Sequence, residues 1–247
     1  MDVATYLSRI GADENDDVAT LTERHFHAVP FENLSIHLGE TVDTRPEALY
    51  DKIVVRRRGG FCYELNGLFA WLLGELGHDV RFLGGVVHTP DGDTAPLAHM
   101  ALSLHDGTSE RLVDVGFGGF MVPPTALDAP STQLEPQADG DVEVRSPAGK
   151  TGYRLERRER SRADFAPTCF WTATHPDSGF THGPTCTLPT REGGRVTLAG
   201  ARLIRTAPDG TRTEDDLSDG EALSAYRDVF GITLDRLPVA LHPPQPA

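Results

Sequence analysis

The chain has 247 residues, of which 38% are hydrophobic and 24% charged, with three cysteines and a formal net charge of −14. That length supports a real core, in one large domain or two to three small ones, while the negative charge opposes non-specific nucleic-acid binding and leaves an anionic ligand dependent on a local basic patch. No stretch approaches the roughly 18 apolar residues needed to cross a bilayer, the acidic start MDVATYLSRIGADENDD lacks a basic-then-apolar leader pattern, and an odd cysteine count without C-x-x-C suggests neither a disulfide framework nor a thiolate zinc site, so no metal, no membrane and the cytoplasm are expected.

The first eighty residues read as helical. Asp2 is placed to cap VATYLSRIG, with Gly11 ending that helix. Thr20 is expected to cap LTERHFHAV, which Pro30 stops, and Asp43 or Thr44 precedes RPEALYDKIVV with its proline in the first turn. The clearest helix follows Cys62. Leu65, Leu68, Phe69, Leu72, Leu73 and Leu76 repeat with helical spacing, and Gly77 marks the stop.

From Val80 the period becomes two. VRFLGGVVH, LAHMALSL, RLVDVGF, DVEVRS and YRLERRE read as strands separated by turn residues. Residues 123–140, rich in Pro, Ala and Asp, read as a surface loop. RVTLAG and ARLIRTA follow, then the turn PDG and a last helix, GEALSAYRDVFG, capped by Ser218 or Asp219; the tail HPPQPA is expected to fray. Helices, then a mostly antiparallel sheet, then a small mixed segment give an α+β fold.

Cys62 stands at the N-cap or first turn of its helix, where free N–H groups and the helix dipole favour a sulfur anion, the form that acts as a nucleophile. Gly59 and Gly60 leave the approach to the sulfur open and are expected to aim backbone N–H groups at a developing oxyanion. The plain alternative is a small buried apolar residue. A nucleophilic cysteine needs a base and an orienting group. In LAHMALSLHDGTSERLVDVGF, a two-residue Asp106-Gly107 turn places His99 directly opposite Asp114 on one face, at a spacing suited to an imidazole–carboxylate hydrogen bond. A longer loop would change that register. The pair could equally serve only to stabilise a hairpin. Together, Cys62, His99 and Asp114 form the set of groups used for acyl transfer through a thioester.

HAVPFENLSIHLG, RRGGFCYELNGLF, HMALSL, LVDVGFGG and HPDSGFTHGPTCTLPTREGGRVTLAG resemble, in the same order, the arylamine N-acetyltransferases. The resemblance implies an N-terminal helical bundle (1–79) carrying the nucleophile, a β-barrel (80–184) carrying the histidine and aspartate, and a C-terminal α/β lid (185–247), the first two parts being similar to papain-like cysteine proteases. It implies ping-pong transfer of acetyl from acetyl-CoA to a cysteine and then to an aromatic amine, hydrazine or hydrazide, with the triad on Cys62, His99 and Asp114. It also implies that Phe31, Phe117 and Val87 wall the acceptor pocket and that Gly118 and Phe180 lie near the CoA thiol and pantetheine. Arg56, Arg57 and Arg58 are candidate phosphate contacts or, equally, residues that fix the loop before Cys62.

Two departures bear on the donor cleft: a short C-terminal end, and PTCFWTAT where the family pattern has an asparagine. The nearest alternative is an amide synthase of ansamycin-type polyketide assembly, which uses the same triad on an acyl chain held by a carrier protein. A non-catalytic binding module and a peptidase are the remaining alternatives.

Overall fold

The computed structural model describes residues 1–149 and 152–243; the last four positions of the expected frayed tail lie outside the described residues. Helix α1 (Val3–Ile10) is capped as expected: the Asp2 carboxylate accepts from the Thr5 N–H at 2.7 Å, and Gly11 closes the helix with φ 68°. Helix α2 (Val18–Ala28) starts earlier than expected. Asp17, not Thr20, is the cap, and its carboxylate accepts from the Thr20 N–H at 2.8 Å, so Thr20 lies inside the first turn.

Strand β1 (Phe31–Glu32) and helix α3 (Leu34–Leu38) follow Pro30. Asp43 is committed to the Arg45 guanidinium and N–H, so Arg45 occupies the cap position of α4 (Pro46–Tyr50). The chain then widens into a π-helical turn, Asp51–Val55, before the RRRGG loop. Helix α5 spans Cys62–Glu75, with Phe61 as its cap and Cys62 its first residue.

Eight strands form the larger sheet: β2 (Asp79–Thr89), β3 (Gly92–Asp93), β4 (His99–His105), β5 (Glu110–Asp114), β6 (Val122–Ala126), β7 (Leu134–Pro136), β8 (Val142–Val144) and β9 (Tyr153–Arg160). Their order is β6-β5-β4-β2-β9-β8-β7, with β3 on β2. Two strands thus lie in the segment expected to be loop. Prolines disguised them, and both are terminal strands, where a missing N–H costs no ladder bond. Gln133 links the two ends, its amide donating to the carbonyls of Met121 and Arg145.

The β4–β5 register also differs from expectation. His105 pairs with Glu110, so the loop has four residues rather than two. The Asp106 carboxylate explains the longer loop: it accepts from the N–H groups of Thr108 and Ser109 and from both hydroxyls, a local network a tight turn does not permit. Leu102 pairs with Val113, which makes His99 and Asp114 diagonal neighbours rather than opposites. The shift is by two, so the two side chains keep a common face.

A 3₁₀ turn (Arg162–Phe165), helix α6 (Ala166–Thr174) and helix α7 (Gly179–His182) follow β9. The smaller sheet has the order β1-β10-β11-β12-β13, with β10 (Thr185–Pro189), β11 (Arg195–Ala199), β12 (Arg202–Thr206) and β13 (Arg212–Asp216). Helix α8 (Asp219–Phe230), capped by Ser218, packs on it through Ala225, Tyr226 and Phe230. The fold is the expected α+β one. Strand β1 joins the last sheet to the first third of the chain, and the Val239 N–H donates to the His37 carbonyl beside it. No helix among the described residues is long and apolar enough to cross a membrane.

Among the described residues, Tyr6 and His25 are buried titratable groups of the bundle core without a hydrogen-bond partner. His25 is fully buried between Tyr6 and Phe69, and neither ring nitrogen is hydrogen-bonded. Burial, with help from Arg9, lowers its pKa to about 3. A base depressed in the folded state loses its contribution as pH falls below its unfolded value. From pH 7 to pH 5 the loss should be about 2 kcal/mol. Urea titrations at the two pH values should show it, and His25→Phe should flatten the difference.

Candidate functional site

The loop before Cys62 is held by buried charge. Arg58 reaches Glu32 at 2.9 Å and Lys52 reaches Glu64 at 2.7 Å, with Lys52 also 3.7 Å from Glu32. Each buried cation is matched by a buried carboxylate, and Arg58 also reaches the more exposed Glu40 at 3.4 Å. Burial opposes the Glu32 charge, but Lys52 and Arg58 win and hold its carboxyl below the usual range; burial wins at Glu64 and pushes it up. Arg58 therefore fixes the loop and has no face left for a phosphate. Arg56 is paired with Asp51.

The two glycines do something other than expected. The Gly60 N–H is spent on the Pro30 carbonyl at 3.3 Å, and Gly60 accepts from the Glu32 N–H at 2.9 Å. A Cβ on Gly59 would stand 1.9 Å from the Pro30 oxygen. They permit close passage of the β1 segment, and the Gly60 N–H is not free to serve as an oxyanion donor. From Gly59 to Tyr63, the N–H groups that remain without an acceptor among the described residues are those of Gly59, Cys62 and Tyr63, the last two at the start of α5.

Cys62, His99 and Asp114 converge from α5, β4 and β5, all nearly inaccessible. His99 Nε2 lies 2.7 Å from Asp114 Oδ2. The imidazole spans the diagonal offset with its far nitrogen, which leaves Nδ1 for the sulfur. The Cys62 thiol donates to the Ala98 carbonyl at 3.7 Å, one residue before the histidine. Burial works against a charged imidazole, yet the Asp114 carboxylate and a hydrogen bond with Cys62 outweigh it and raise the His99 pKa to about 10. Asp114 stays below the usual carboxylate range despite its burial, because His99, Asn66 and Tyr153 all stabilise its charge. The arrangement can carry a sulfur anion beside an imidazolium, with a charged carboxylate fixing the ring. The other two thiols are pushed up by burial and face no such base.

The expected pocket residues fall into two aromatic groups around the sulfur. Phe31 meets Phe180 edge-on at 6.3 Å, and Phe180 meets Phe61 at 5.4 Å. Phe117 meets the His99 ring at 5.2 Å, and Val87, on β2, packs with it against the barrel core. Gly118 lies under the Phe31 ring, where a Cβ would come within 2.7 Å. The PTCFWTAT departure forms α6. Cys169 packs in the same apolar cluster as Cys62, while Phe170 is 71% exposed and Trp171 stacks on His175.

Three supporting residues escaped the sequence reading. Asn66, one turn after Cys62, donates to the Met100 carbonyl at 2.6 Å and to Asp114 Oδ1 at 2.8 Å, and accepts from the Val115 N–H. Its spacing from Cys62 on one helix face was the available signal. Tyr153 donates to Asp114 Oδ2 at 2.7 Å from β9, and nothing in sequence spacing brings those strands together. Asn33, in the PFEN stretch, donates to the carbonyls of Phe180 and Gly183 and accepts from the Thr185 N–H, tying α7 to the bundle.

The family profile described as N-acetyltransferase matches residues 16–239. An arylamine N-acetyltransferase of Mycolicibacterium smegmatis is 37% identical over 260 residues, covering 96% of this chain and 94% of the relative. The structure of the Mycobacterium marinum arylamine N-acetyltransferase in complex with CoA superposes with a TM-score of 0.81 at 34% identity, covering 94% of this chain and 93% of that one. A Bacillus cereus arylamine N-acetyltransferase, reported with a Cys-His-Glu triad, gives a TM-score of 0.83 at 25% identity, with 95% of this chain and 100% of that one covered.

Proposed function

The chain belongs to the arylamine N-acetyltransferase family, and on that premise we propose that Cys62, His99 and Asp114 carry its transfer of acetyl from acetyl-CoA to an aromatic amine or hydrazine. One observation carries the residue assignment. The sulfur at the positive end of α5 shares a buried site with an imidazole that is held at 2.7 Å by a fully buried carboxylate.

The first half-reaction begins with the Cys62 proton on His99 Nδ1. The sulfur attacks the thioester carbonyl of acetyl-CoA, and the oxyanion that develops faces the free N–H groups of Cys62 and Tyr63. His99 returns the proton to the departing CoA sulfur, leaving an acetyl thioester on Cys62. In the second half the acceptor nitrogen attacks that thioester, His99 takes its proton, and the Cys62 anion leaves. Asp114 keeps the imidazole with Nε2–H toward itself throughout, so Nδ1 always faces the chemistry.

Phe31, Phe117 and Val87 line the acceptor side in this reading, a flat ring being matched by flat walls. Gly118 and Phe180 stand on the donor side. The division into 1–79, 80–184 and 185–247 has one apolar cluster of its own in the barrel, while the bundle cluster also takes in Leu102, Leu104, Val113 and Val115 and the terminal-sheet cluster takes in Leu34. Three free thiols fit a reducing compartment such as the cytoplasm. The comparisons lend no support to a carrier-protein donor.

Incubation with acetyl-CoA should add the mass of one acetyl group to the peptide containing Cys62, and a later addition of an aniline or arylhydrazine should remove it. An unmodified Cys62, together with acylation from a carrier-bound chain, would overturn the reading.

A further inference from the structure

The chain enters β4 through the tight turn Ala95–Ala98, in which the Ala98 N–H donates to the Ala95 carbonyl at 3.3 Å. Pro96 holds its second position and Leu97 its third, with φ 63°. That is the pattern of a type II turn, whose third position calls for glycine, and a leucine there carries backbone strain. The Leu97 side chain covers the bare face of Gly84, where a Cβ would lie 2.2 Å from Leu97 Cδ2, and packs in the apolar cluster of Cys62. His99 is the last residue of β4 to pair with β2, so the ladder stops short of the turn. On the outer side the Thr168 hydroxyl donates to the Pro96 carbonyl at 3.3 Å. On the inner side two consecutive residues of α5 meet the next two carbonyls. The Tyr63 phenol donates to that of Leu97 at 2.9 Å, and the Cys62 thiol to that of Ala98 at 3.7 Å. Packing against Phe61 and Phe165 accounts for an aromatic ring at 63, but not for the aim of its hydroxyl.

We infer that Tyr63 is a positioning residue for the second half of the reaction: its hydroxyl holds the strained turn that delivers His99 once the sulfur is acetylated and can no longer do so. The sulfur passes through three states in the cycle. As a thiol it donates to the Ala98 carbonyl. As an anion it holds the imidazolium by charge. As a thioester it is uncharged and has no proton to donate, so both links are gone. The phenol is then the inner tie on a turn whose leucine favours another backbone conformation. A ring displaced by a fraction of an ångström would meet the acceptor nitrogen poorly, because proton transfer requires hydrogen-bond reach. The phenol remains a donor throughout, since burial raises it above its ordinary value.

This role presupposes the one proposed for Cys62, and the test keeps the two apart. Tyr63→Phe keeps the ring and removes the donor. Rapid mixing with acetyl-CoA alone reads the first half as release of CoA, which should stay within about twofold of the native rate because the ion pair still holds His99. Mixing the acetylated protein with an arylamine and following the mass of the Cys62 peptide reads the second half, which should slow about tenfold. Adding Leu97→Gly should recover most of that loss, since Pro-Gly takes this turn unaided. The same pair carries the test if Tyr63→Phe alone does not fold: beside Leu97→Gly, removing the hydroxyl should change deacetylation by less than about twofold. Equal slowing of both halves, no slowing of either, or a loss that persists alongside Leu97→Gly would overturn the inference and leave the functional reading standing. A native chain that takes no acetyl on Cys62 would overturn both.

Discussion

Asp114→Asn is expected to lower acetyl transfer about ten-thousand-fold while the protein stays folded, because the substitution selects the wrong imidazole tautomer. The four donors around Asp114 decide how an amide can sit there. An NH2 group in the place of Oδ1 would face the Asn66 amide and the Gly116 N–H, neither of which can become an acceptor without breaking its other bonds. In the place of Oδ2 it would face His99 and Tyr153, and both can adapt. The imidazole moves its proton to Nδ1 and accepts through Nε2, and the phenol accepts through its oxygen. The phenol hydrogen then has no acceptor, which costs about 1–3 kcal/mol. The nitrogen facing Cys62 then carries a proton and cannot take one. Circular dichroism should show an intact fold, with a melting point only a few degrees lower, beside a steady-state rate near background. Unimpaired turnover would remove Asp114 from the mechanism.

Gly116→Ala should cost both activity and stability. A Cβ there would lie 2.5 Å from Asn66 Nδ2 and 2.8 Å from the Cys62 Cα. The second contact is with backbone at the helix start, so it cannot be relieved by turning a side chain. Either α5 or the loop after β5 must move, which separates the sulfur from the barrel that carries His99. Overpacking of this kind costs about 1–3 kcal/mol, and a displacement near 1 Å at reacting atoms costs about a hundredfold in rate. Gly179→Ala, where a Cβ meets nothing within 4 Å, is the matched control. Equal kcat and equal denaturation midpoints for the two variants would show that the approach of helix and loop is not tight.

The convergence of Cys62, His99 and Asp114 was legible because each of them announces itself locally. Cys62 follows two glycines and precedes an unambiguous apolar stripe, and His99 and Asp114 are polar residues at inward positions of apolar strands. The parity of the hairpin survived a wrong turn length, since a slip of two keeps both side chains on one face. The supports were less legible. Tyr153 reaches Asp114 only through the order β5-β4-β2-β9, which no local pattern encodes. The Glu32–Lys52–Glu64–Arg58 cluster assembles four charges that sequence alone would assign to solvent. Strand β13 reads RTEDD and is fully exposed, so it has no apolar alternation to betray it; it is held by Arg202 and Arg205 on the neighbouring strand. Proline disguised β6 and β7 for the reason already given, that terminal strands tolerate it.

The pairing of β1 with β10 has a consequence for how the molecule is made. The segment that shapes the nucleophile loop, Phe31 to Asn33, completes its hydrogen bonds only with residues from Phe180 onward. During translation the cysteine leaves the ribosome more than a hundred residues before those partners do. A half-synthesised chain thus exposes the thiol without its walls, and acetylation competence arrives late, as the terminal sheet seats itself on a strand made near the beginning.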